Sequence, residues 1–250
     1  MIVMTWLIFI IGAMLAGFVQ GLTGFAFALV AMSFWVWVLP PQLAAPLVVL
    51  ASVWSHVISL RQERGQHTSS RQLVIPYIIV GLIGVPLGSY FLDLIQADTF
   101  KLLLGVFLIL WCPIMLFNPQ IKKIQQSGHY ADASIGFLGG ILGGLGGFCG
   151  SLPSAWLMLK QRPKQEQRYI LRHFNFAIQL FTLVAYLAQG TLQTKLLPYA
   201  LLLLIAVSVP AMLGAKLFYK ISERQFKHSV LTLLFSSGCF LVFSSIVQAT

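Results

Sequence analysis

The sequence predicts an all-α polytopic membrane protein. It is expected to form two inverted repeats, each a glycine-broken hairpin followed by three transmembrane helices. Three observations carry that expectation. The 250-residue chain is 58% hydrophobic and only 9% charged, whereas a soluble domain carries about 25% charged residues. No charged residue occurs between Met1 and Leu60, a run far beyond the ~20 apolar residues that span a bilayer. The stretch Gly17–Leu29 recurs 123 positions later as Gly140–Leu152, with six of thirteen positions identical. Leu and Phe matches are cheap in an apolar chain, but Gly17/Gly140, Gly21/Gly144 and Gly24/Gly147 are three glycines in register. The short alternating segments of a transmembrane barrel are not visible.

Residues 4–39 are uncharged and mostly apolar. A single straight helix there would be ~54 Å long against a hydrocarbon core of ~30 Å, so the segment must break. Gly21-Leu-Thr-Gly24 is the expected place, and Pro40-Pro41 ends the segment. A helix follows over Gln42–Leu60, then a polar loop over 61–72 with Arg61, Arg64 and Arg71. The next helix covers Leu73–Leu92 and holds Pro76, Gly81, Gly84, Pro86 and Gly88, which kink and close-pack membrane helices. After Asp93 and Asp98 a helix covers Phe100–Phe117. Residues 118–132 form the longest polar linker and divide the chain into a first membrane repeat, 1–117, and a second, 133–250. Residues 133–159 repeat the opening theme with eight glycines between Gly136 and Gly150. A basic loop is expected at 160–172, with helices over 169–188, 196–219 and 226–248.

Charge decides the topology. If 133–159 enters and returns on one side, fourteen Lys/Arg lie inside and two, Lys101 and Lys195, lie outside. A single crossing would put nine of the fourteen outside, against the positive-inside rule. By the repeat, residues 4–39 also return. Both termini are then outside, the linker 118–132 is cytoplasmic, and the two breaks meet from opposite faces near the midplane. The expected location is the cell (inner) membrane, crossed several times.

At a break the backbone loses helical partners. Thr23 is a candidate N-cap for the piece restarting near Phe25, and Ser151 with Pro153 sits where the second piece restarts. Two helix N-termini would point free N–H groups at one central volume, a site for an anion. Tight packing is the competing role of the glycines. The helix after each hairpin carries a polar stripe: Ser52, Ser55, His56 and Ser59 in the first half, and Asn175, Gln179 and Thr182 in the second. Gly21, Thr23, Gly24, Gly144, Gly147 and Ser151 are the candidate central site. Ser52, His56, Asn175 and Gln179 are candidate side-chain donors, with interhelical bonding as the alternative.

Other chemistry finds little support. The net charge of +10 follows from cytoplasmic loops, and no basic stretch interleaved with aromatics suggests nucleic acid. Cys112, Cys149 and Cys239 have no metal spacing. Gly144–Gly150 lacks the Gly-Lys-Ser/Thr of a phosphate loop. Ser151 with His173 lacks a nucleophile motif. No acidic residue falls in a predicted span, which disfavours a carboxylate-lined cation path. The amino terminus lacks a basic n-region, and its apolar run is too long for a signal peptide. No cofactor or metal is expected.

Gly-Leu-Thr-Gly-Phe-Ala-Phe-Ala at 21–28, the striped helix ending in Arg61, Pro86-Leu-Gly88 and Gly140–Pro153 together resemble the TauE/SafE sulfite exporter family of permeases. The resemblance covers nearly the whole chain. It implies a secondary transporter of sulfite, a sulfonate or a related sulfur-containing organic anion. Phe25-Ala-Phe27 and Phe148-Cys-Gly-Ser151 depart from the family's glycine-rich pattern, and bulkier residues there would narrow the site. A passive anion channel or a membrane enzyme is the alternative, and a homo-oligomer is left open.

Overall fold

The computed structural model describes residues 2–61, 71–117, 129–160, 164–190 and 197–217, and residues 228, 231, 232, 234–236, 238, 239, 242, 243, 245 and 246. The linker 118–132, the loop 61–72 and the final helix 226–248 therefore lie partly outside the described residues. So do Arg64, Lys122, Lys123, Arg162, Lys195, Lys220, Arg224 and Lys227, which enter the charge split.

Among the described residues the chain is all-helical, in the order α1 Ile2–Thr23, α2 Phe27–Trp35, α3 Pro41–Arg61, α4 Arg71–Leu94, α5 Ala97–Phe117, α6 His129–Gly146, α7 Ser151–Leu159, α8 Lys164–Ala188 and α9 Leu197–Leu217. The described residues between 228 and 246 are helical too. Among the described residues, five segments are long and apolar enough to cross a membrane: Met4–Thr23, Pro41–Arg61, Gln72–Leu94, Gln165–Ala188 and Tyr199–Leu217. Their outward faces are apolar. Ile75, Ile79, Ile83 and Leu87 form an exposed strip on α4, as do Leu201, Ile205, Val209 and Leu213 on α9. Buried positions meanwhile include Gln20, Ser52, His56, Arg172, Asn175 and Gln179. Apolar outside and polar inside is the arrangement lipid demands of a bundle.

Both glycine-rich segments break where their length requires it. α1 stops at Thr23, and Gly24 (φ 79) and Ala26 (φ 74) take left-handed conformations before α2. α6 stops at Gly146, and Gly147 (φ 82) turns the chain into α7. α2 and α7, nine residues each, are ~14 Å long and too short to cross. Each turns back along its longer partner. Trp35 Nε1, at the end of α2, donates to Phe9 O of α1 at 3.0 Å. Asp132, in the first turn of α6, accepts from Trp156 Nε1 of α7 at 2.7 Å and from Lys160 Nζ just beyond it.

The two most extensive helix pairings are α4 with α6 and α1 with α9. Both depend on glycine, and the contacts match one for one. A Cβ on Gly21 would strike Ala211 O, and one on Gly144 would strike Val85 O. In return, a Cβ on Gly214 would strike Phe18 O, and one on Gly88 would strike Ile141 O. Backbones this close leave no room for a side chain, so the glycines act first as packing residues.

The basic stretch departs from the sequence expectation. The basic segment 160–172 is not a loop throughout, because α8 begins at Lys164 and carries Arg168 and Arg172 into the bundle. The reason lies at the first break, where Arg168 finds a backbone acceptor.

Candidate functional site

A break inside a membrane strands the last carbonyls of the helix that ends there. α8 supplies their donors from one face. Arg168, Arg172, Asn175, Gln179, Thr182 and Tyr186 recur at alternating spacings of four and three, and all are buried. Arg168 Nη2 donates to Gly21 O at 2.8 Å, and Asn175 Nδ2 donates to Gly24 O at 3.2 Å. Gln179 Nε2 donates to Gly147 O at 3.1 Å, and Tyr186 Oη donates to Gly144 O at 2.5 Å. Two donors serve each break. They fall symmetrically about Ala177, with Asn175 and Gln179 inside and Arg168 and Tyr186 outside.

Between the breaks lies a small cavity lined by Phe25, Ala26, Ala28, Leu29, Gly147, Phe148, Gly150, Ser151, Asn175 and Gln179. Its volume of about 10 Å³ is near the minimum for one water, so this conformation is closed to any larger ligand. The start of α2 faces it. The first intrahelical bond of α2 runs from Val30 N to Ala26 O, so the amides of Phe27, Ala28 and Leu29 precede the helical ladder. α7 offers less. Ser151 N already bonds Phe148 O at 3.1 Å, and Pro153 has no N–H, which leaves the amide of Leu152. The positive end of a helix dipole adds to the field at both places.

The ten residues singled out by sequence divide into three groups. Gly147, Ser151, Asn175 and Gln179 line the cavity. Gly21, Thr23, Gly24 and Gly144 belong to the ends of α1 and α6 beside it. Gly21 and Gly144 are packed against α9 and α4. Thr23 does not cap α2. Its Oγ1 accepts from Phe25 N at 3.2 Å and lies within donating distance of Val19 O (2.8 Å) and Phe25 O (2.7 Å), closing the end of α1. α2 instead starts from Ala26, which makes no side-chain cap. Ser151 Oγ likewise turns inward, donating to Phe148 O at 2.7 Å.

Ser52 and His56 lie outside the cavity, on α3. Ser52 Oγ donates to Gln20 Oε1 at 2.8 Å, and Gln20 Nε2 donates to Ser52 O at 2.9 Å, which ties α1 to α3. Below that lock, Ser55 Oγ, both ring nitrogens of His56 and Ser59 Oγ are buried with no protein partner among the described residues. The His56 ring sits 6.3 Å from that of Phe176 on α8.

The family model described as Sulfite exporter TauE/SafE matches residues 9–241. The chain belongs to the TauE/SafE family. No curated protein and no solved structure matches it. As a TauE/SafE protein it is a multi-pass membrane transporter, and its membership implies export of a sulfite-type anion.

Sequence reasoning missed several residues around this cavity of the TauE/SafE protein. Phe25, Ala26, Phe148 and Gly150 lie in the two stretches that the sequence marks as narrowing the site, but Ala28 and Leu29 also line the cavity, and their apolar side chains carry no signal. Arg168 and Tyr186 do carry one. The face defined by Asn175, Gln179 and Thr182 extends to both at helical spacing.

Proposed function

We propose that this TauE/SafE protein is a secondary transporter of a small sulfur-containing anion, sulfite or a sulfonate, bound between the two breaks. One observation carries the reading: α2, α7, Asn175 and Gln179 converge on a single cavity inside the bundle. The N-terminal amides of α2 and its dipole suit an anion. The cavity residues Gly147, Gly150, Ser151, Asn175 and Gln179 form the site together with the start of α2. Thr23, Gly24, Gly21 and Gly144 hold the ends of α1 and α6 that frame it. Ser55, His56 and Ser59, buried on α3 and rich in hydroxyl and ring donors, stand along the path to the cytoplasm.

The architecture that goes with this reading is an inverted repeat, 1–117 and 133–250, joined by a cytoplasmic linker over 118–132, with both termini outside. Two facts support it. The glycine contacts of α1 with α9 repeat those of α6 with α4, and the donors of α8 serve the two breaks symmetrically. The closed cavity then corresponds to an occluded state that must widen toward one face at a time.

Purified protein in liposomes loaded with labelled sulfite or sulfonate tests the reading. Release above that of protein-free vesicles is expected for at least one of these anions. Release of none of them, with the protein inserted and folded, would remove the anion site.

A further inference from the structure

The cavity presents bare acceptors as well as donors. Asn175 is 1% exposed and Gln179 3% exposed, and both line it. Their amide orientations are fixed chemically. Nδ2 of Asn175 faces Gly24 O, and Nε2 of Gln179 faces Gly147 O; turning either amide over would set two oxygens against each other. Asn175 Oδ1 and Gln179 Oε1 are left buried with no protein partner among the described residues. The Asn175 amide cannot swing away easily, because Gly150 packs on it. A Cβ there would lie 2.5 Å from Nδ2 and 2.8 Å from Oδ1. A bare oxyanion brings only acceptors. It would bond the amides of α2 but leave both side-chain oxygens unpaired and facing its negative charge.

Resting on the anion site proposed above, we propose that the preferred ligand carries its own hydrogen-bond donor, an O–H or N–H, beside its anionic group. The anionic end takes the start of α2, and the donor meets Asn175 Oδ1 or Gln179 Oε1. Sites built around a ligand's hydroxyl reject the analogue lacking it far more strongly than apolar pockets distinguish one methylene.

The test compares two sulfonates of equal charge and similar bulk, 2-hydroxyethanesulfonate and propane-1-sulfonate, which differ by O–H against CH₃. Binding to the purified protein in lipid nanodiscs is measured by calorimetry, with a neutral sulfone as control. The hydroxylated anion is expected to bind at least about tenfold more tightly. Equal binding, or tighter binding of propane-1-sulfonate, overturns the inference and leaves the anion site standing; a trapped water then satisfies the two oxygens. Binding of neither sulfonate, or of the sulfone as well as both, removes the anion site and this inference with it.

Discussion

Lys160, one residue past α7, donates to the Asp132 carboxylate in the first turn of α6. The side chains are only 8% and 12% exposed, and Tyr77 Oη of α4 donates to the same oxygen at 2.7 Å. The relationship fixes a direction: the chain that descends as α6 comes back to where it started. The first prediction is therefore topological. Single cysteines at Tyr130 and Gln165, in a background lacking Cys112, Cys149 and Cys239, should react alike with an impermeant thiol reagent. Both should be protected in intact cells and labelled in inverted vesicles. Opposite labelling of the two would mean that 133–159 crosses the membrane once.

The same pair predicts an energetic asymmetry. Asp132→Asn leaves the Lys160 ammonium without its counter-charge in a poorly hydrated corner. Losing one member of such a pair costs about 3–5 kcal/mol when fully buried, and this pair is slightly wet, so about 2–4 kcal/mol is expected. Adding Lys160→Met should recover much of the loss, since no charge is then stranded. Unfolding in detergent checks both variants; a double variant as unstable as Asp132→Asn alone would put the effect on Tyr77 and Trp156 instead.

Ala26 holds a left-handed conformation (φ 74) with a side chain that disfavours it. That conformation costs a non-glycine residue about 1–2 kcal/mol. Ala26→Gly should keep stability and flux, and Ala26→Val should lose about 1–2 kcal/mol more, because β-branching aggravates the crowding. Thermal unfolding of the three proteins decides. Indifference to valine would show that the break relaxes to another conformation.

How much of this was legible beforehand follows from the physics of each part. The breaks were, because the thirty-six uncharged residues at 4–39 cannot fit a bilayer as one helix. The pairing of Gly21 with Gly144 was, because packing glycines recur in register. The inward course of Arg168 and Arg172 was not. Hydropathy assigns a basic stretch to a loop, and only the stranded carbonyl of Gly21 explains why an arginine enters the bundle. Nor was the cavity lining legible at Ala28 and Leu29, whose apolar side chains look like any other in a membrane helix. Asn175 and Gln179 were found by their stripe. Their bonds to Gly24 and Gly147 could not be, since stripe periodicity names a face and says nothing about which atom meets which.

Gly150 and Gly144 offer a contrast between packing and function. A methyl at Gly144 meets the Val85 carbonyl and the Ser89 amide, which are backbone and cannot yield. Gly144→Ala should push α6 off α4, cost about 1–3 kcal/mol and lower the amount of folded protein. A methyl at Gly150 meets the Asn175 amide and Phe25 Cβ. The added methyl would press the amide off Gly24 O without forcing two long helices apart, so Gly150→Ala should cost less stability than Gly144→Ala yet lose transport. Flux per folded molecule separates the two. Equal flux per molecule in Gly150→Ala and the parent would remove the Asn175 amide from the substrate's path.

The last prediction concerns the amides themselves. Asn175→Leu removes the donor to Gly24 O and leaves that carbonyl buried and unpaired, at a cost of about 1–3 kcal/mol. Leucine also favours insertion, so the protein should still reach the membrane. Asn175→Asp keeps the shape but sets an oxygen against Gly24 O and a negative charge beside the start of α2. An anion then competes with a fixed carboxylate for the same amides, and its binding should fall further than in Asn175→Leu. Gln179→Leu and Gln179→Glu should repeat the pattern against Gly147 O. The order of flux per folded molecule is therefore parent, then leucine, then carboxylate, at both positions. The order matters more than the size of any one effect, because a purely structural role predicts that the larger steric change, to leucine, is the worse one. Carboxylate variants that outperform their leucine counterparts would assign Asn175 and Gln179 to holding the breaks alone, and would move the anion to the donors of Ser55, His56 and Ser59 on α3.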